Sequence, residues 1–290
     1  MKGPTMPEIQ LQQGTIHYQQ VGPPDGRPVV FVHGYLMAGD LWAVLGEKLA
    51  GHGLRAIMPT WPLGAHPEPM APDADVTPRG VAAIIAGFLE ALELEDVVLV
   101  GNDTGGALSQ VVAVDHPERL GALVLTNCDM YENFPPSFFK ALVAAAKLPG
   151  GLKAALQPMR TAAARRSPLG YGMLSHGDVD HLARGWVKPV FEQPGVLEDL
   201  RRFTLALDNE VTLDAARRLP AFGKPVLLVW APDDKLFPLG LAQRLAAAQP
   251  GACVETIERS RAFSMIDQPD RLAGLIEEVA QRSAAGQAIR

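Results

Sequence analysis

Ten residues in the first half of the chain, Val97-Val98-Leu99-Val100-Gly101-Asn102-Asp103-Thr104-Gly105-Gly106, carry the main information about its architecture. The apolar run predicts a buried β-strand, and helical residues follow, so Asp103 stands at a strand-to-helix turn. Glycines suit such a turn because a side chain would collide with the strand and the helix. A carboxylate there is a candidate nucleophile that forms esters with carbon electrophiles. Since Asp is also a common helix cap, a purely structural role is the alternative.

The rest of the chain alternates between apolar strand-like runs and amphipathic helical runs. Two short β-like runs joined at Gly14 predict an antiparallel entry hairpin. Apolar runs predict further strands at residues 28–32, 54–58, 97–100, 123–125, 225–230 and 252–257. Helical periods lie between most of these runs. The alternation predicts an α/β fold with a mostly parallel central sheet and helices on both faces.

The alternation stops after Cys128 and resumes near residue 220. Between these points Pro, Gly, Ala and Arg are frequent, and helical periods occur at residues 138–146 and 197–207. This pattern predicts a helical cap of residues 129–219, inserted into a core domain made of residues 1–128 and 220–290.

The composition argues against a large charged partner. With 290 residues, 48% of them hydrophobic, the chain can bury a sizeable core. Its net charge of -6 and the lack of a Lys/Arg-rich run argue against nucleic acid. No segment has the apolar length of a signal peptide or a membrane span, so we expect a cytoplasmic protein without a membrane partner. Cys128 and Cys253 are expected to be reduced, and no cofactor or metal site is indicated.

Several features together resemble the α/β-hydrolase superfamily, and within it the haloalkane dehalogenase and epoxide hydrolase branch. They are the His33-Gly34 pair after an apolar strand, the Asp103 turn, the helical insertion and a late acidic turn. The resemblance covers residues 9–280 and implies the α/β-hydrolase fold with Asp103 as the nucleophile. It also implies that the backbone N–H groups of Tyr35 and Thr104 stabilise an oxyanion, while His33 has a structural role.

The resemblance also implies an acid and a histidine that complete the catalytic machinery. Asp234, four residues before Pro238, matches the acid, and Asp129 is the alternative. The histidine is missing, because Ala262 occupies its position and residues 225–290 contain no histidine. In this mechanism the imidazole activates the water that hydrolyses the ester, whereas ester formation needs only the carboxylate. The sequence therefore predicts that Asp103 can be alkylated while turnover is impaired.

Four residues of the insertion are candidates for contact with a substrate. Tyr131 and Tyr171 match the cap tyrosines that protonate the departing oxygen in epoxide hydrolases, and His176 or His181 could supply an imidazole. Asp234 or Asp129 could alternatively act as the base, since loss of the imidazole removes their partner.

Two functions follow from these residues. One is a hydrolase with weak turnover that acts on a small apolar electrophile. The other is a non-catalytic protein that binds an apolar ligand on the same fold and is stabilised by it. A homodimer is one option for the assembly.

Overall fold

A sheet of eight strands forms the centre of the computed structural model, which describes residues 6–285. The strands are β1 Glu8–Leu11, β2 Gly14–Val21, β3 Pro28–Val32, β4 Arg55–Pro59, β5 Val97–Asp103, β6 Leu120–Cys128, β7 Val226–Trp230 and β8 Ala252–Thr256. Their spatial order is β1-β2-β4-β3-β5-β6-β7-β8. The predicted α/β fold class is confirmed.

The sheet is antiparallel at one edge and parallel elsewhere. Strands β1 and β2 form the predicted hairpin, and β2 pairs with β4 in antiparallel register. From β4 through β3, β5, β6 and β7 to β8 every pairing is parallel, with Val29 opposite Val98 and Val124 opposite Leu227. Every residue of β5 is buried, as expected for a strand covered on both faces. The carboxyl ends of the parallel strands therefore all lie on the same side of the sheet, along the line where these strands end.

Helices supply the crossovers between the parallel strands and fill the segment between β6 and β7. They are α1 Ala43–Gly51, α2 Pro78–Ala91, α3 Thr104–Asp115, α4 Phe139–Ala146, α5 Gly151–Leu156, α6 Ala162–Arg165, α7 Asp180–Val187, α8 Pro189–Glu192, α9 Pro194–Leu205, α10 Glu210–Arg218, α11 Leu239–Ala248, α12 Ser264–Asp267 and α13 Pro269–Ala284. Short 3-10 helices lie at Gly39–Trp42, Tyr131–Asn133, Gln157–Arg160 and Leu219–Phe222. The start of α2 follows its sequence, because the Thr77 side chain accepts the N–H of Gly80 at 3.2 Å and Pro78 takes the first position.

The residues between β6 and β7, which we call the helical segment, lie against loops of the core. The Tyr171 hydroxyl donates to the Leu36 carbonyl at 2.6 Å. The Trp186 indole donates to Asp40 at 2.5 Å. Leu36 and Asp40 follow β3, so these contacts hold the helical segment over the carboxyl end of the sheet, where β5 also ends. The boundary predicted at residues 219 and 220 falls within the 3-10 helix Leu219–Phe222.

Two further expectations concern membrane-spanning helices and the two cysteines. No helix of residues 6–285 is long and apolar enough to cross a bilayer. Cys128 ends β6 and Cys253 lies in β8, with β7 between them, so two strand spacings keep the sulfurs too far apart for a disulfide.

Candidate active site

Asp103 ends β5 in a strained backbone conformation at the first turn of α3. Its φ of 55° and ψ of -135° lie outside the regions that L-residues favour. The turn depends on close approach of backbone, because a Cβ at Gly105 would overlap the Val32 carbonyl and one at Gly34 would overlap the Asp103 carboxylate. These glycines allow the β3 loop to lie directly against the Asp103 side chain.

Two backbone N–H groups face the Asp103 carboxylate. The Thr104 N–H donates to Oδ1 at 2.6 Å, and the Tyr35 N–H approaches from the loop after β3. These are the two donors that the resemblance implied, and the structure brings both to Asp103. Burial raises the pKa of Asp103 to about 6, while the Thr104 and Tyr35 donors act in the opposite direction.

The loop that carries the Tyr35 N–H is held by the helical segment. The Tyr35 hydroxyl hydrogen-bonds the Thr204 hydroxyl of α9 at 2.6 Å, and both side chains are buried. The next residue, Leu36, has a positive φ of 54° and accepts the Tyr171 hydroxyl through its carbonyl. Because these contacts restrain both side chain and backbone, the donor at Tyr35 is preorganised rather than dependent on a flexible loop.

Asp129 lies beside Asp103, and Thr104 contacts both carboxyl groups. The Thr104 hydroxyl donates to Asp129 Oδ2 at 3.2 Å, while the Thr104 N–H contacts Asp103. Asp129 is 1% exposed, and its Oδ1 has no hydrogen-bond partner. Burial, followed by the nearby Asp103 charge, raises the pKa of Asp129 well above its ordinary range. Asp129 is therefore a poorly solvated carboxyl that holds a proton readily.

Asp234 lies in a turn after β7 and is held by backbone donors. Its Oδ1 accepts the N–H groups of Leu236 and Phe237, both at 2.8 Å, and the Ala262 N–H also faces the carboxylate. Burial raises the pKa of Asp234, and the backbone donors oppose that rise. Its neighbour Asp233 is exposed, so Asp234 is the buried member of the pair.

Ala262 stands where the resemblance implied a histidine, and it is completely buried. Its carbonyl accepts the Asn102 side-chain amide at 2.9 Å, which joins this loop to the end of β5. The contact with Asp234 is through the Ala262 backbone, and the side chain at this position is a buried methyl group. His33 behaves as a structural residue, because its buried Nε2 accepts the Trp61 N–H at 2.8 Å and burial lowers its pKa to about 4.

The other candidate residues lie in different surroundings. His176 and His181 are exposed on the helical segment, and neither is among the groups whose hydrogen bonds or charges shift the pKa of Asp103. Tyr131 packs its ring against the Arg244 guanidinium, with 3.8 Å between Cζ and the ring centroid. Tyr171 is buried and its charge interaction with Asp103 is part of what raises the tyrosine pKa, after burial.

Two residues absent from the sequence argument help to build the site. The Thr204 hydroxyl is hydrogen-bonded to Tyr35. In the sequence it could have been recognised as a polar residue one helical turn after Leu200, on the apolar face of α9. Gln110 donates to the Gly106 carbonyl at 3.0 Å and the Asp129 carbonyl at 2.9 Å, so it fixes the backbone of Asp129. Residues 104–113 of α3 are all buried, so the periodicity of the helix does not single out Gln110. Within residues 6–285, no three His, Cys, Asp or Glu side chains are grouped to hold a metal ion.

Comparison with known proteins places these residues in a family context. Residues 27–269 match the alpha/beta hydrolase fold family. The chain is 26% identical over 274 residues to a Paraburkholderia xenovorans LB400 protein named 2-hydroxy-6-oxononadienedioate/2-hydroxy-6-oxononatrienedioate hydrolase, covering 87% of this chain and 84% of the relative.

Solved structures show the same similarity at lower sequence identity. Haloalkane dehalogenase DbeA from Bradyrhizobium elkani USDA94 superposes with a TM-score of 0.79 at 17% identity, covering 98% of this chain and 99% of that one. The enol-lactonase from Burkholderia xenovorans LB400 gives a TM-score of 0.72 at 17% identity, covering 95% of this chain and 100% of the lactonase chain. At such identities the likeness concerns the fold, which carries different activities, so the chemistry must be argued from the residues of this chain.

Proposed function

The chain belongs to the alpha/beta hydrolase fold family, and from that premise we propose that it is a hydrolase in which Asp103 attacks a small, mostly apolar electrophile. The observation that carries this proposal is the buried Asp103 carboxylate at the strand-to-helix turn, faced by the N–H groups of Thr104 and Tyr35. A carboxylate is suited to displacement at carbon, the chemistry of haloalkane dehalogenases and epoxide hydrolases. The solved neighbours include a haloalkane dehalogenase at 17% identity and the sequence relatives a dienedioate hydrolase at 26%, so the choice of this branch rests on the Asp103 carboxylate.

The first step needs only Asp103. One carboxylate oxygen attacks an electrophilic carbon, the bond to the halogen or epoxide oxygen breaks, and the leaving group departs with the electron pair. The product is an ester on Asp103. For an epoxide the departing oxygen takes up a proton, and the Tyr171 hydroxyl, whose charge interaction with Asp103 marks it as a neighbour, is our candidate donor.

The second step needs a base, and we assign it to Asp129. Water attacks the ester carbonyl, and the N–H groups of Tyr35 and Thr104 stabilise the oxyanion that forms. When this intermediate collapses, the ester C–O bond breaks, the alcohol leaves with the proton taken from the water, and the Asp103 carboxylate is regenerated. Asp129 lies next to Asp103 through Thr104 and has an oxygen without a partner, so it can accept the proton of the attacking water. Only the ionised carboxylate can accept a proton, and burial disfavours the ionised form of Asp129. Turnover is therefore slow relative to ester formation.

The test is intact-mass measurement after incubation with 1-haloalkanes and terminal epoxides. The wild-type chain gains the mass of the alkyl group less one hydrogen, or the full mass of the epoxide. Asp103→Asn gains neither, and the exposed Asp233→Asn control behaves as wild type. Absence of an adduct and of product with every electrophile in the panel contradicts the proposed nucleophile.

Asp129 is tested separately in the same experiment. After removal of free electrophile, the adduct on Asp129→Asn decays more slowly than on wild type, because the base is absent. Asp234→Asn, whose carboxylate is held by backbone donors, has the smaller effect. Equal decay in wild type and Asp129→Asn rejects Asp129 as the base and leaves Asp103 as the nucleophile.

A second candidate function is favoured by Ala262. With a methyl group in the position of the imidazole, the fold is suited to hold an apolar ligand without consuming it. In that case a ligand raises the melting temperature while its concentration stays constant and no mass is added to the protein. Product release over many turnovers that depends on Asp103 excludes this candidate.

A further inference from the structure

One stretch of the helical segment differs sharply in charge from the rest of the chain. Residues 133–177 contain six Lys or Arg residues and no Asp or Glu, although the whole chain has 32 acidic residues and a net charge of -6. The buried Arg165 pairs with Asp180, and Arg166 pairs with Asp178. The overall charge argued against an anionic partner, but the distribution of charge argues for one at this stretch.

The same stretch is apolar where it meets solvent. Helix α4 has the sequence Phe-Lys-Ala-Leu-Val-Ala-Ala-Ala, yet only Ala146 is buried. Phe138 is 48% exposed, Leu148 is 63% exposed and Leu169 is 89% exposed. These are half of the six large hydrophobic side chains exposed in residues 6–285. Half of the exposed large hydrophobic side chains thus fall within residues 138–169, which makes this stretch a candidate interaction surface.

Lysines accompany these apolar side chains. No carboxylate within residues 6–285 forms an ion pair with Lys140, Lys147 or Lys153. A cleft of about 430 Å³ lies between the α4–α5 connection and α9, lined by Lys147, Leu148 and Lys153 among others. Glu198, the acidic residue of this cleft, is already paired with Arg201 at 2.7 Å. The two lysines are therefore available to an anion, with a leucine beside them.

The helices that carry or flank the three lysines are in contact with one another, and Leu169 follows α6 along the chain. Helix α4 packs on α5 and α9, and the 3-10 helix Gln157–Arg160 joins α5 to α6. We call the exposed side chains of this layer the basic apolar surface and define it as Phe138, Lys140, Lys147, Leu148, Lys153 and Leu169.

We propose that the basic apolar surface docks the protein on an anionic membrane surface. Aliphatic and aromatic side chains that enter the headgroup boundary, together with lysines that meet anionic headgroups, are the two components of peripheral membrane binding. The cleft between Lys147 and Lys153 suits a headgroup phosphate, and Leu148 and Leu169 suit the acyl region. The binding is peripheral. It does not depend on the chemistry assigned to Asp103.

The charge of the surface disfavours a second copy of this chain as its occupant. A two-fold interface places the same patch on both subunits, so Lys140, Lys147 and Lys153 would face their own equivalents without acidic partners. The leucines likewise disfavour single-stranded nucleic acid, because bases stack on aromatic rings or guanidinium groups rather than on aliphatic side chains.

Vesicle co-sedimentation tests the proposal with the full chain. Vesicles of phosphatidylcholine alone are compared with an equal mixture of phosphatidylcholine and phosphatidylglycerol. We expect binding to the anionic vesicles, a loss of binding as salt is raised, and little binding to phosphatidylcholine. Lys147→Gln with Lys153→Gln is expected to weaken binding roughly tenfold or more. Leu148→Ser with Leu169→Ser is expected to weaken it as well.

A matched control separates this surface from net charge. Lys48→Gln with Arg271→Gln removes two positive charges from α1 and α13 of the core, and we expect it to bind as wild type. The proposal is overturned if the control loses as much binding as Lys147→Gln with Lys153→Gln. Equal binding of the wild-type protein to the two vesicle types overturns it as well. A dimer in sedimentation velocity that Leu148→Ser with Leu169→Ser converts to a monomer also overturns it and assigns the surface to a second copy.

Discussion

Opposing influences determine the pKa of the Asp103 carboxyl. Burial under the helical segment disfavours the charged form, whereas the N–H groups of Thr104 and Tyr35 favour it. The same donors that would stabilise an oxyanion on the ester already contact the free carboxylate. Asp103 therefore ionises within the neutral range and remains weakly solvated, which suits a nucleophile.

Ester formation at Asp103 is expected to depend on pH with a midpoint near 6. Only the ionised carboxylate attacks, and burial raises the pKa of Asp103 to about 6 from 3.8. The rate of adduct formation with a haloalkane rises through that midpoint and is constant at higher pH. Intact-mass time courses across a pH series measure it. A midpoint near 4 would contradict the buried environment of the carboxylate.

Ala262→His is expected to restore hydrolysis of the ester. An imidazole at this position, beside Asp234, supplies a base with a pKa near the operating pH, and such bases contribute about 10²- to 10⁴-fold. We expect product release to accelerate while the rate of ester formation stays similar. Released halide or diol per mole of protein gives the measurement.

Ala262→Gln is the control for this variant, since it adds a polar side chain without a titratable group. The buried position makes some destabilisation by either side chain expected, so melting temperatures are recorded for both. A folded Ala262→His protein that releases product no faster than Ala262→Gln contradicts the assigned role of this position.

At the scale of elements, the site depends on contacts between the helical segment and the core loops. Helix α9 contributes Thr204 to the Tyr35 loop and Asp199 to the loop after β4. Asp199 Oδ2 accepts the Met70 N–H at 2.8 Å and contacts His66 Nε2 at 3.3 Å. The side chains of Asp199 and His66 are both buried. One helix thus positions two loops at the carboxyl end of the sheet.

Asp199→Ala is expected to lower the free energy of unfolding by about 2–4 kcal/mol. The substitution leaves the buried Met70 N–H and His66 without an acceptor, and unsatisfied buried polar groups are costly. Urea unfolding measures the difference. The neighbouring Glu198→Ala removes only an exposed pair with Arg201 and is expected to cost less than about 1 kcal/mol. Equal effects of the two variants would show that α9 is not anchored through Asp199.

At the scale of the whole molecule, folding buries three carboxyl groups at the carboxyl ends of β5, β6 and β7. Asp103, Asp129 and Asp234 all have raised pKa values, with burial as the first cause of each. Folding therefore favours bound protons at these groups. Elsewhere, ion pairs such as Arg79 with Asp115 and Asp214 lie at the surface and contribute little net stability.

Asp103→Asn is expected to be more stable than wild type above pH 6. Below pH 3.8 the Asp103 carboxyl is protonated in both the folded and the unfolded protein. The preference of the folded state for the protonated carboxyl then contributes fully to the free energy of unfolding. As pH rises the unfolded state loses its proton first, and the contribution is lost up to the folded pKa of about 6. The loss amounts to about 3 kcal/mol. Urea unfolding of both proteins across this range measures it, with Asp233→Asn as the exposed control, for which no such difference is expected.

The strand, the turn and the following helix around Asp103 could be predicted because they are formed by consecutive residues. Alternating strands and helices likewise indicated the α/β class and the parallel sheet. The sequence also identified Ala262 as the residue at the position where the resemblance implied a histidine, because that position is defined by neighbouring residues in one loop. Each of these features depends on local geometry and residue type, which a single chain carries in its order.

The tertiary structure alone decided which groups surround Asp103 and how they ionise. Thr204 meets Tyr35 across 169 residues, and Asn102 meets Ala262 across 160. The sequence left Asp129 and Asp234 as alternatives, and folding places one beside Thr104 and the other against backbone donors. Burial, and with it the pKa of each carboxyl, is produced by residues remote in the chain. The residue types at the site are thus local information, whereas their contacts and charge states are properties of the folded molecule.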